Sequence, residues 1–515
     1  MSHEIRADYQ QQYLLPKCVE DWVPSDHPAR FIREYVDSLE SGKLGFKIRE
    51  TVDGRPNYSA DLLLKVWLYG YLSRIYSLRK LERACREEMS LIWLTGNNAP
   101  DHNTLWRFFR DNKITLRKLF QVGVKVAAKA NLVGMVLHAV DGTKVTAKVA
   151  NRSGWHRKEL EKALGRLDES IENAMEEIER VEGEEQGDYR LPKELEDRGK
   201  LRQTIMSALE EMDSIQRNHL HPDDKEARMM KGDEKKGFGY NAQVVVDSES
   251  GLIVGERVVN DENDAHQLTE MIARVQDNVG GTAGETIADG GYFSGEELHK
   301  AENEEYGVLV SIKEKEGKYH SSRFKYDAEK DVSVCPEGEE LKYGRTKKAK
   351  GMQYQVRIYR CLKYKTCSCR WQCSQAKCGK TVEISPYHEA IERQREKQKD
   401  PIKLGMLKRR MEIVEHIFGE IKQTMGFRRF TVNGLEGVKT QWSLLCTVLN
   451  LKKMYRWWLE GKTAMETRVK IFTTMISVRQ LENTDYKTEG LNSFMRMYNN
   501  WPQSKFRFQN SILVL

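Results

Sequence analysis

Three short segments of the sequence each place an acidic residue where a strand or a helix is expected. They are VLHAVDGTKVT around Asp141, ETIADGGYFS around Asp289 and KRRMEIVEHIFGEIK around Glu415. Carboxylates that are distant in sequence can converge in a fold, and an Asp, Asp and Glu set can hold two magnesium ions for phosphodiester chemistry. The pattern therefore predicts an enzyme that acts on nucleic acid.

The first two acids are predicted at the ends of buried strands. Residues 136–140 are mostly apolar and favour a strand, and Asp141 and Gly142 follow directly. Residues 286–288 favour a shorter strand that ends at Asp289, and the glycines after it leave room for a metal or a phosphate. The carboxyl end of a strand is the usual ligand position of an open α/β sheet, so we expect both carboxylates there.

The third acid must be chosen among Glu412, Glu415 and Glu420. An apolar stripe at steps of three and four residues predicts the buried face of this helix: Met411, Val414, Phe418, Ile421 and Met425. At about 100° per residue, Glu420 points away from the stripe, Glu412 lies well off it, and Glu415 lies on its border. Glu415 is therefore the best candidate to face a cleft, with Lys422 on the same line to hold a phosphate.

Each acid taken alone has an ordinary structural explanation. An aspartate before a glycine is common in turns, and an acid at the border of a helix face is usually solvated. The prediction of a catalytic set therefore rests on the three segments together.

Several segments, in the same order along the chain, resemble the DDE-type insertion-sequence transposases of bacteria. They are DGTKVTA (141–147), GYNAQVVVD (239–247), IADGGY (287–292), RRMEIVEHIFGEIK (409–422), GFRRF (426–430) and LNLKKM (449–454). The resemblance spans roughly residues 9 to 458. It implies an RNase H-like catalytic domain in which Asp141, Asp289 and Glu415 bind two Mg²⁺ or Mn²⁺ ions.

The same resemblance bears on the DNA contacts. Some relatives have a tyrosine seven residues before the glutamate and an arginine four before it, where this chain has Lys408 and Met411. Arg410 lies one position away from that arginine, and Lys422 matches the family's lysine. The basic residues counted as candidate DNA contacts in this region are Lys422, Arg410, Arg428 and Arg429.

Charge is segregated along the chain. The 515 residues include 84 basic and 77 acidic side chains, for a net charge of +7. Residues 159–211 are rich in acids, whereas residues 393–429 and 439–456 are strongly basic, which favours a local DNA-binding face, although a solvated helix surface would look similar. No apolar run approaches the roughly 18 residues of a membrane helix, and the N-terminus lacks a signal peptide. We therefore expect a cytoplasmic, nucleoid-associated protein.

The N-terminal region, residues 1–132, is predicted to be an all-α domain. Ser59 is placed to cap one helix, a second begins near Ser77, and Asn103 is placed to cap a third. The third helix would expose Arg107 and Arg110, as expected of a helix-turn-helix DNA reader. An ordinary helical bundle is the alternative, and the resemblance favours DNA binding.

Two insertions are predicted in the catalytic region, residues 133–458. Apolar stripes on either side of a breaker at residues 183–192 predict a helical hairpin over residues 155–220, suited to packing or self-association. A cysteine-rich insertion over residues 320–390 contains Cys335, Cys361, Cys367, Cys369, Cys373 and Cys378. In a reducing compartment such a cluster favours a structural Zn²⁺ site, with unligated thiols as the alternative and the ligand set open. The tail, residues 459–515, has no assignable role.

These features predict an α/β fold with an RNase H-like core, and the expected function is that of a transposase. The resemblance implies that one metal activates water to cut at the end of the element while the other stabilises the leaving 3′ oxygen. The freed 3′ hydroxyl then attacks target DNA. Its partners would be double-stranded DNA, as terminal inverted repeats and as target, and further copies of the chain on DNA. The alternatives are a metal-dependent nuclease without strand transfer and a non-catalytic DNA-binding protein derived from a transposase.

Overall fold

The computed structural model describes residues 18–39, 44–47, 56–182, 193–232, 236–312, 317–349 and 354–459. They divide into two units. The first contains residues up to 118, 125–132 and the chain from 451, and the second contains residues 119–124 and 133–450. Apart from Leu459, the predicted tail lies outside the described residues.

Helices occur in both units, whereas the strands of the described residues all lie in the second. The helices are α1 Pro28–Ser38, α2 Ala60–Leu72, α3 Leu78–Glu87, α4 Met89–Thr95, α5 His102–Asp111, α6 Lys113–Lys129, α7 Arg157–Glu182, α8 Lys193–Ser214, α9 Leu268–Val279, α10 Gly295–Asn303, α11 Arg370–Cys373, α12 His388–Lys397, α13 Pro401–Gly419 and α14 Leu435–Leu459. The strands are β1 Leu137–Thr146, β2 Trp155–His156, β3 His219–Leu220, β4 Arg228–Lys231, β5 Lys236–Asp247, β6 Ile253–Val259, β7 Glu285–Ala288, β8 Val308–Val310, β9 Lys325–Asp327, β10 Val332–Val334, β11 Glu340–Lys348, β12 Gln355–Cys361 and β13 Thr381–Ile384. Among the described residues, every helix falls short of the length or the apolar character that a membrane crossing needs.

The first unit is helical, as predicted. The Ser59 side chain caps α2 by accepting a hydrogen bond from the Leu62 backbone N–H at 3.3 Å. Helix α5 begins earlier than expected because Asp101, rather than Asn103, is its cap: the Asp101 carboxylate accepts from the Thr104 N–H at 2.6 Å. A cap of this kind stabilises a helix by about 1 kcal/mol.

A six-stranded mixed sheet forms the centre of the second unit. Strands β7 and β8 run parallel to β1 on one side, and β5 runs antiparallel to it on the other. Strands β4 and β6 both pair antiparallel with the far edge of β5. This mixed sheet agrees with the RNase H-like α/β core that the resemblance implied.

The prediction that the first strand ends at Asp141 is wrong. Strand β1 continues to Thr146 because β5 pairs with it along its whole length, with Asp141 opposite Val244. Gly142 is needed as a close approach rather than as a turn, since a Cβ there would lie 2.4 Å from Gln243 Nε2. The second strand ends as predicted, and Asp289 follows β7 directly.

Helices pack against this sheet and bury its core. Helix α9 packs on β5 and β6, and α13 packs on β1 and β7. Helix α14 is joined to the sheet by polar contacts: Trp442 Nε1 donates to the Gln243 carbonyl at 3.3 Å, and the Asn450 amide bonds the Ile253 N–H and carbonyl. These bonds fix α14 against the centre of the sheet, since both side chains are buried.

The first insertion is a pair of long helices, α7 and α8, which pack against each other. The Arg202 guanidinium lies 2.6 Å from an Asp168 carboxylate oxygen across this contact. Strands β2 and β3 pair antiparallel where the insertion leaves and rejoins the sheet. Leu201, which belongs to the apolar stripe that follows the breaker in the sequence, is exposed. The predicted breaker at residues 183–192 lies outside the described residues.

The second insertion is a separate antiparallel sheet with the strand order β13-β12-β11-β10-β9. Its small core consists of Phe324, Leu341, Tyr359, Val382 and Ile384. Cys335, Cys361 and Cys373 pack against this core.

Candidate active site

Asp141 and Asp289 come from neighbouring parallel strands. Strand β1 pairs with β7 so that Ala139 lies opposite Ile287, and each aspartate follows two residues later. Burial raises the pKa of Asp141, the Arg410 guanidinium lowers it, and the negative charge of Asp289 raises it. The structure therefore brings these two predicted carboxylates together, close enough that the charge of Asp289 raises the pKa of Asp141.

Arg410 is a direct partner of the first aspartate. Its Nη1 lies 2.7 Å from Asp141 Oδ2, and both side chains are mostly buried. The sequence pointed to Arg410 as a DNA contact, whereas the structure places it on a carboxylate. The guanidinium compensates the charge of Asp141, which would otherwise be costly to bury.

Glu415 is placed differently from the two aspartates. It is exposed on α13 and lies about 140° around the helix axis from Arg410, which faces Asp141. Among the described residues, no group of three or more acidic, histidine or cysteine side chains is arranged to hold a metal ion. The structure thus brings two members of the predicted triad together and leaves the third apart from them.

The buried stripe predicted for α13 is partly wrong. Val414, Ile421 and Met425 are buried as expected, but Met411 is 53% exposed and Glu420 only 7% exposed. Met411 turns outward because its neighbour Arg410 faces the sheet. Beyond Gly419 the helix becomes a π-helix over residues 420–424, so extrapolation at about 100° per residue fails there.

Of the remaining basic candidates of this region, Arg428 and Arg429 lie near the end of β1. Lys422 is half-buried within the π-helical turn, and Arg428 and Arg429 are exposed. The Thr146 N–H donates to the Arg428 carbonyl at 3.3 Å, and the Thr146 carbonyl accepts from the Phe430 N–H at 2.9 Å. These bonds fix the GFRRF segment beside the strand that carries Asp141.

A polar cluster beside the aspartates was not predicted. Asp264 Oδ1 accepts hydrogen bonds from Asn241 Nδ2 at 2.6 Å and from Gln243 Nε2 at 2.7 Å, and Lys144 Nζ lies 3.2 Å away. Asn241 and Gln243 stand out in the sequence as alternating polar residues in an otherwise apolar strand. Asp264 gave no such signal, because several acids occupy its loop.

Tyr292 joins this cluster to the aspartates. Its side chain is fully buried, and its hydroxyl donates a hydrogen bond to Gln243 Oε1. Burial raises the pKa of Tyr292 well above its usual value, and the nearby charges of Asp264, Asp141 and Asp289 raise it further. The phenol therefore stays protonated and acts as a hydrogen-bond donor.

Gly291 shows how closely the second aspartate and the cluster approach each other. Its N–H donates to Asp289 Oδ1 at 2.8 Å. A Cβ at this position would lie 3.0 Å from Asp289 Oδ1 and 3.6 Å from Asp264 Oδ2. Asp264 and Asp289 therefore face the same small space above Gly291.

Two family models match this chain. Residues 334–455 match a transposase DDE domain, and residues 17–111 match the transposase domain DUF772. The chain is a DDE-type transposase. The DDE-domain match includes Glu415 and Lys422 and begins after both aspartates in the sequence, so the case for the aspartates of this transposase rests on the sheet.

The transposase is also similar to a solved structure, a piggyBac transposase synaptic complex with hairpin DNA. The two chains are 9% identical, with a TM-score of 0.30, over 92% of this chain and 85% of the other. A likeness at this level carries no argument about the site. No curated protein matches the transposase.

The predicted DNA contacts of the first unit lie on α5 of the transposase. Arg107 and Arg110 are both exposed, and Arg110 Nε lies 2.7 Å from an Asp111 carboxylate oxygen. Helix α5 is tied to α3 through Glu82, which accepts from the His102 N–H at 3.0 Å and contacts the His102 ring at 2.7 Å. The two helices that the sequence nominated as a DNA reader are therefore linked to each other.

Four of the six clustered cysteines of the transposase lie near one another. Burial raises the pKa of the Cys361 and Cys373 thiols, and each is raised further by the neighbouring Cys335 and Cys367. Cys335 opens a tight turn in which its Sγ accepts from the Glu339 N–H at 3.3 Å. The other two are placed differently: Cys369 interacts with the Tyr319 hydroxyl, and Cys378 is exposed.

Proposed function

We propose that this transposase binds the ends of its insertion sequence, cleaves DNA strands there with divalent metal ions, and joins the freed ends to target DNA. The observation that carries the proposal is the pair Asp141 and Asp289, which lie side by side on adjacent parallel strands of a DDE-type transposase. Because its substrate is DNA, we place the enzyme on the nucleoid in the bacterial cytoplasm.

A DDE domain depends on divalent metal ions. The two aspartates fit such an ion, because their carboxylate oxygens are the ligands that Mg²⁺ and Mn²⁺ prefer and because a cation would relieve their mutual repulsion. We propose Asp141 and Asp289 as ligands and Glu415 as the third, which must move toward the aspartates when DNA and metal bind. When bound, two such ions activate a water molecule and stabilise the leaving 3′ oxygen.

Arg410 has two successive roles in this proposal. Before DNA binds, it holds the Asp141 carboxylate at 2.7 Å. A cation bound to Asp141 competes for the same oxygen, and a DNA phosphate is an equally good partner for a guanidinium. Arg410 then moves from the carboxylate to the phosphate, which couples DNA engagement to the exposure of a metal ligand.

The basic segment after α13 is proposed to contact the DNA backbone near the site. Lys422, Arg428 and Arg429 follow Glu415 in the chain, and Arg428 and Arg429 lie beside the end of β1. Arg107 and Arg110 on α5 are proposed to contact the terminal inverted repeats. Backbone contacts of this kind position the DNA, whereas base contacts specify its sequence. Pairing of two ends on a homo-oligomer completes the proposal.

We propose one structural Zn²⁺ in the cysteine-rich sheet. The support is that the Cys335 and Cys367 thiols lie near enough to Cys361 and Cys373 to raise their pKa values; the four thiols are not yet arranged as a metal site, so the ion would draw them together. Thiolate sulfurs are preferred zinc ligands, and a bound ion would hold the α11 region to the small sheet.

The test is a cleavage and joining assay on end DNA with Mg²⁺ or Mn²⁺. Alanine at Asp141, Asp289 or Glu415 should abolish strand cleavage and leave end binding largely intact, because base and phosphate contacts lie elsewhere. Glu412→Ala is the matched control, since Glu412 is an exposed acid on the same helix.

Each alternative gives a distinct result in this assay. Cleavage without joined products would identify a nuclease, and no cleavage by the wild type would identify a non-catalytic DNA-binding protein. Near-normal cleavage by Glu415→Ala, together with loss of cleavage in Glu420→Gln at an unchanged unfolding midpoint, would assign the third carboxylate to Glu420.

A further inference from the structure

The polar cluster around Asp264 has no role in the proposed triad. One carboxylate oxygen of Asp264 serves three donors, from Lys144, Asn241 and Gln243. The other oxygen, Oδ2, points toward the space above Gly291, where Asp289 Oδ1 also lies. Asp264 therefore stands between a set of donors and the second aspartate of the site.

Burial explains why the cluster needs a carboxylate. The Asn241 and Gln243 amides are fully buried, so each needs an acceptor inside the protein. A charged acceptor makes shorter and stronger hydrogen bonds than a neutral one. Lys144, which is partly exposed, also gains its counterion from Asp264. Removal of the charge alone would keep the shape of the cluster and weaken each of these contacts.

The cluster reaches the second aspartate by two routes. Asp264 holds Lys144 with one carboxylate oxygen, and its other oxygen shares the space above Gly291 with Asp289. Gln243, held by Asp264, accepts the hydrogen bond of the Tyr292 hydroxyl, and Tyr292 belongs to the turn that Asp289 begins. A displacement of Asp264 would therefore disturb Asp289.

We propose that Asp264 is a positioning residue of the active site, which holds the Lys144 ammonium on the Asp289 side of the site to bind a phosphate of the DNA being cleaved. Through Gln243 and Tyr292 it also fixes the turn that carries Asp289. The inference rests on the proposed function, because its readout is DNA cleavage. A purely structural network would stabilise the fold and leave the cleavage rate of the folded enzyme unchanged.

The matched control is a second buried carboxylate near the same helix. Glu297 on α10 accepts hydrogen bonds from the Thr269 N–H at 2.9 Å and the Thr269 hydroxyl at 2.8 Å at the start of α9. Asp264 lies just before α9. Asp264→Asn and Glu297→Gln make the same change, from carboxylate to amide, in two buried networks, of which only the first adjoins the site.

The experiment compares full-length wild type with Asp264→Asn, Glu297→Gln, Lys144→Met and their Lys144→Met/Asp264→Asn combination. Three quantities are measured: the thermal unfolding midpoint, the Kd for end DNA in chelator, and the cleavage rate at saturating DNA and Mg²⁺. We expect Asp264→Asn and Lys144→Met to lower the saturated rate by about tenfold or more, with a much smaller change in Kd, since misplacement of a positioned group costs catalysis. Lys144→Arg should keep most of the rate, because it keeps the charge.

The combined variant tests whether Asp264 acts through Lys144. We expect it to cleave about as slowly as the slower single variant, because groups that act as a unit are not additive. Glu297→Gln should lower the unfolding midpoint without slowing cleavage by the folded fraction.

Several outcomes would overturn the inference. They are a wild-type rate in Asp264→Asn, fully additive losses in the combined variant, or an equal loss in Glu297→Gln. If Asp264→Asn does not fold, a wild-type cleavage rate in Lys144→Met would by itself overturn the inference. A wild type without metal-dependent cleavage would instead overturn the proposed function, and this inference with it.

Discussion

At the scale of single residues, the site is organised by two pairs of opposite charge. Arg410 compensates Asp141, and Lys144 compensates Asp264. Both pairs are mostly shielded from solvent, where an uncompensated carboxylate would be costly. Asp289 lies between them and accepts from the Gly291 N–H. The chain itself thus supplies much of the charge balance of the site.

Lys422 is predicted to contact a single phosphate near the scissile bond. Lys422→Ala should weaken end binding and flatten its salt dependence by about one phosphate contact. Lys422→Arg should retain most of this, since charge matters more than shape at one phosphate. The measurement is end-DNA affinity over a salt series.

The control for Lys422 must come from an exposed neighbour. Glu420 looked suitable from the sequence, but it is buried, so its substitution would disturb the fold. Gln423 is exposed beside Lys422 and serves instead as Gln423→Ala. Equal salt slopes for Lys422→Ala and wild type would show that Lys422 is only a surface charge.

At the scale of elements, local sequence patterns predicted some of the helices and strands and failed where tertiary contacts decide the structure. The strand before Asp289 and the cap at Ser59 follow from local residues and were confirmed. The extension of β1 past Asp141 depends on pairing with β5, which is remote in sequence. The π-helical turn after Gly419 changes the phase of the helix, and no local sequence pattern predicted this turn. Asp264 acts through partners that only the folded sheet brings to its loop.

The link between α3 and α5 gives a prediction for acid stability. Hydrogen bonds from the His102 ring and N–H lower the pKa of Glu82 from 4.5 to about 2. A lowered carboxyl pKa stabilises the folded state above pH 4.5, and this contribution is lost as the pH falls toward 2. Glu82→Gln should therefore lower the unfolding midpoint at pH 7 and have little effect near pH 2.

The control for Glu82→Gln is a substitution at Glu87, further along the same helix. Glu87 forms an exposed pair with Arg83 at 2.8 Å, and such pairs contribute little, so Glu87→Gln should change the midpoint much less. Unfolding midpoints of both variants between about pH 2 and pH 7 decide the matter. A Glu82→Gln loss that does not change with pH would contradict the ionic origin of this link.

The cysteine-rich sheet gives a prediction about metal content. If it binds zinc, purified protein should contain about one zinc per chain, and chelation should expose residues 335–378 to proteolysis. Chelation should also release thiols at Cys335, Cys361, Cys367 and Cys373 to alkylation, whereas Cys446, fully buried in α14, should stay protected. A metal-free preparation with unchanged protection in this sheet would remove the zinc proposal.

At the scale of the whole molecule, the two insertions separate the acidic segments in sequence but leave the central sheet intact. The helix pair α7 and α8 leaves and rejoins the sheet through the short β2 and β3 pair. The cysteine-rich sheet has its own small core. Each insertion therefore adds length between the acids without changing the register of the central strands. The sequence predicts the helical hairpin from its apolar periodicity and the second insertion from its cysteine content, but it does not show what either insertion packs against.

The contact between Arg410 and Asp141 joins positions 269 residues apart. During synthesis β1 leaves the ribosome long before α13 is made. Asp141 therefore has no Arg410 guanidinium beside it until α13 has been synthesised. A product terminated between Asp289 and Arg410 would keep both aspartates and lack Arg410 and Glu415. Such fragments are therefore expected to be less stable and unable to cut DNA.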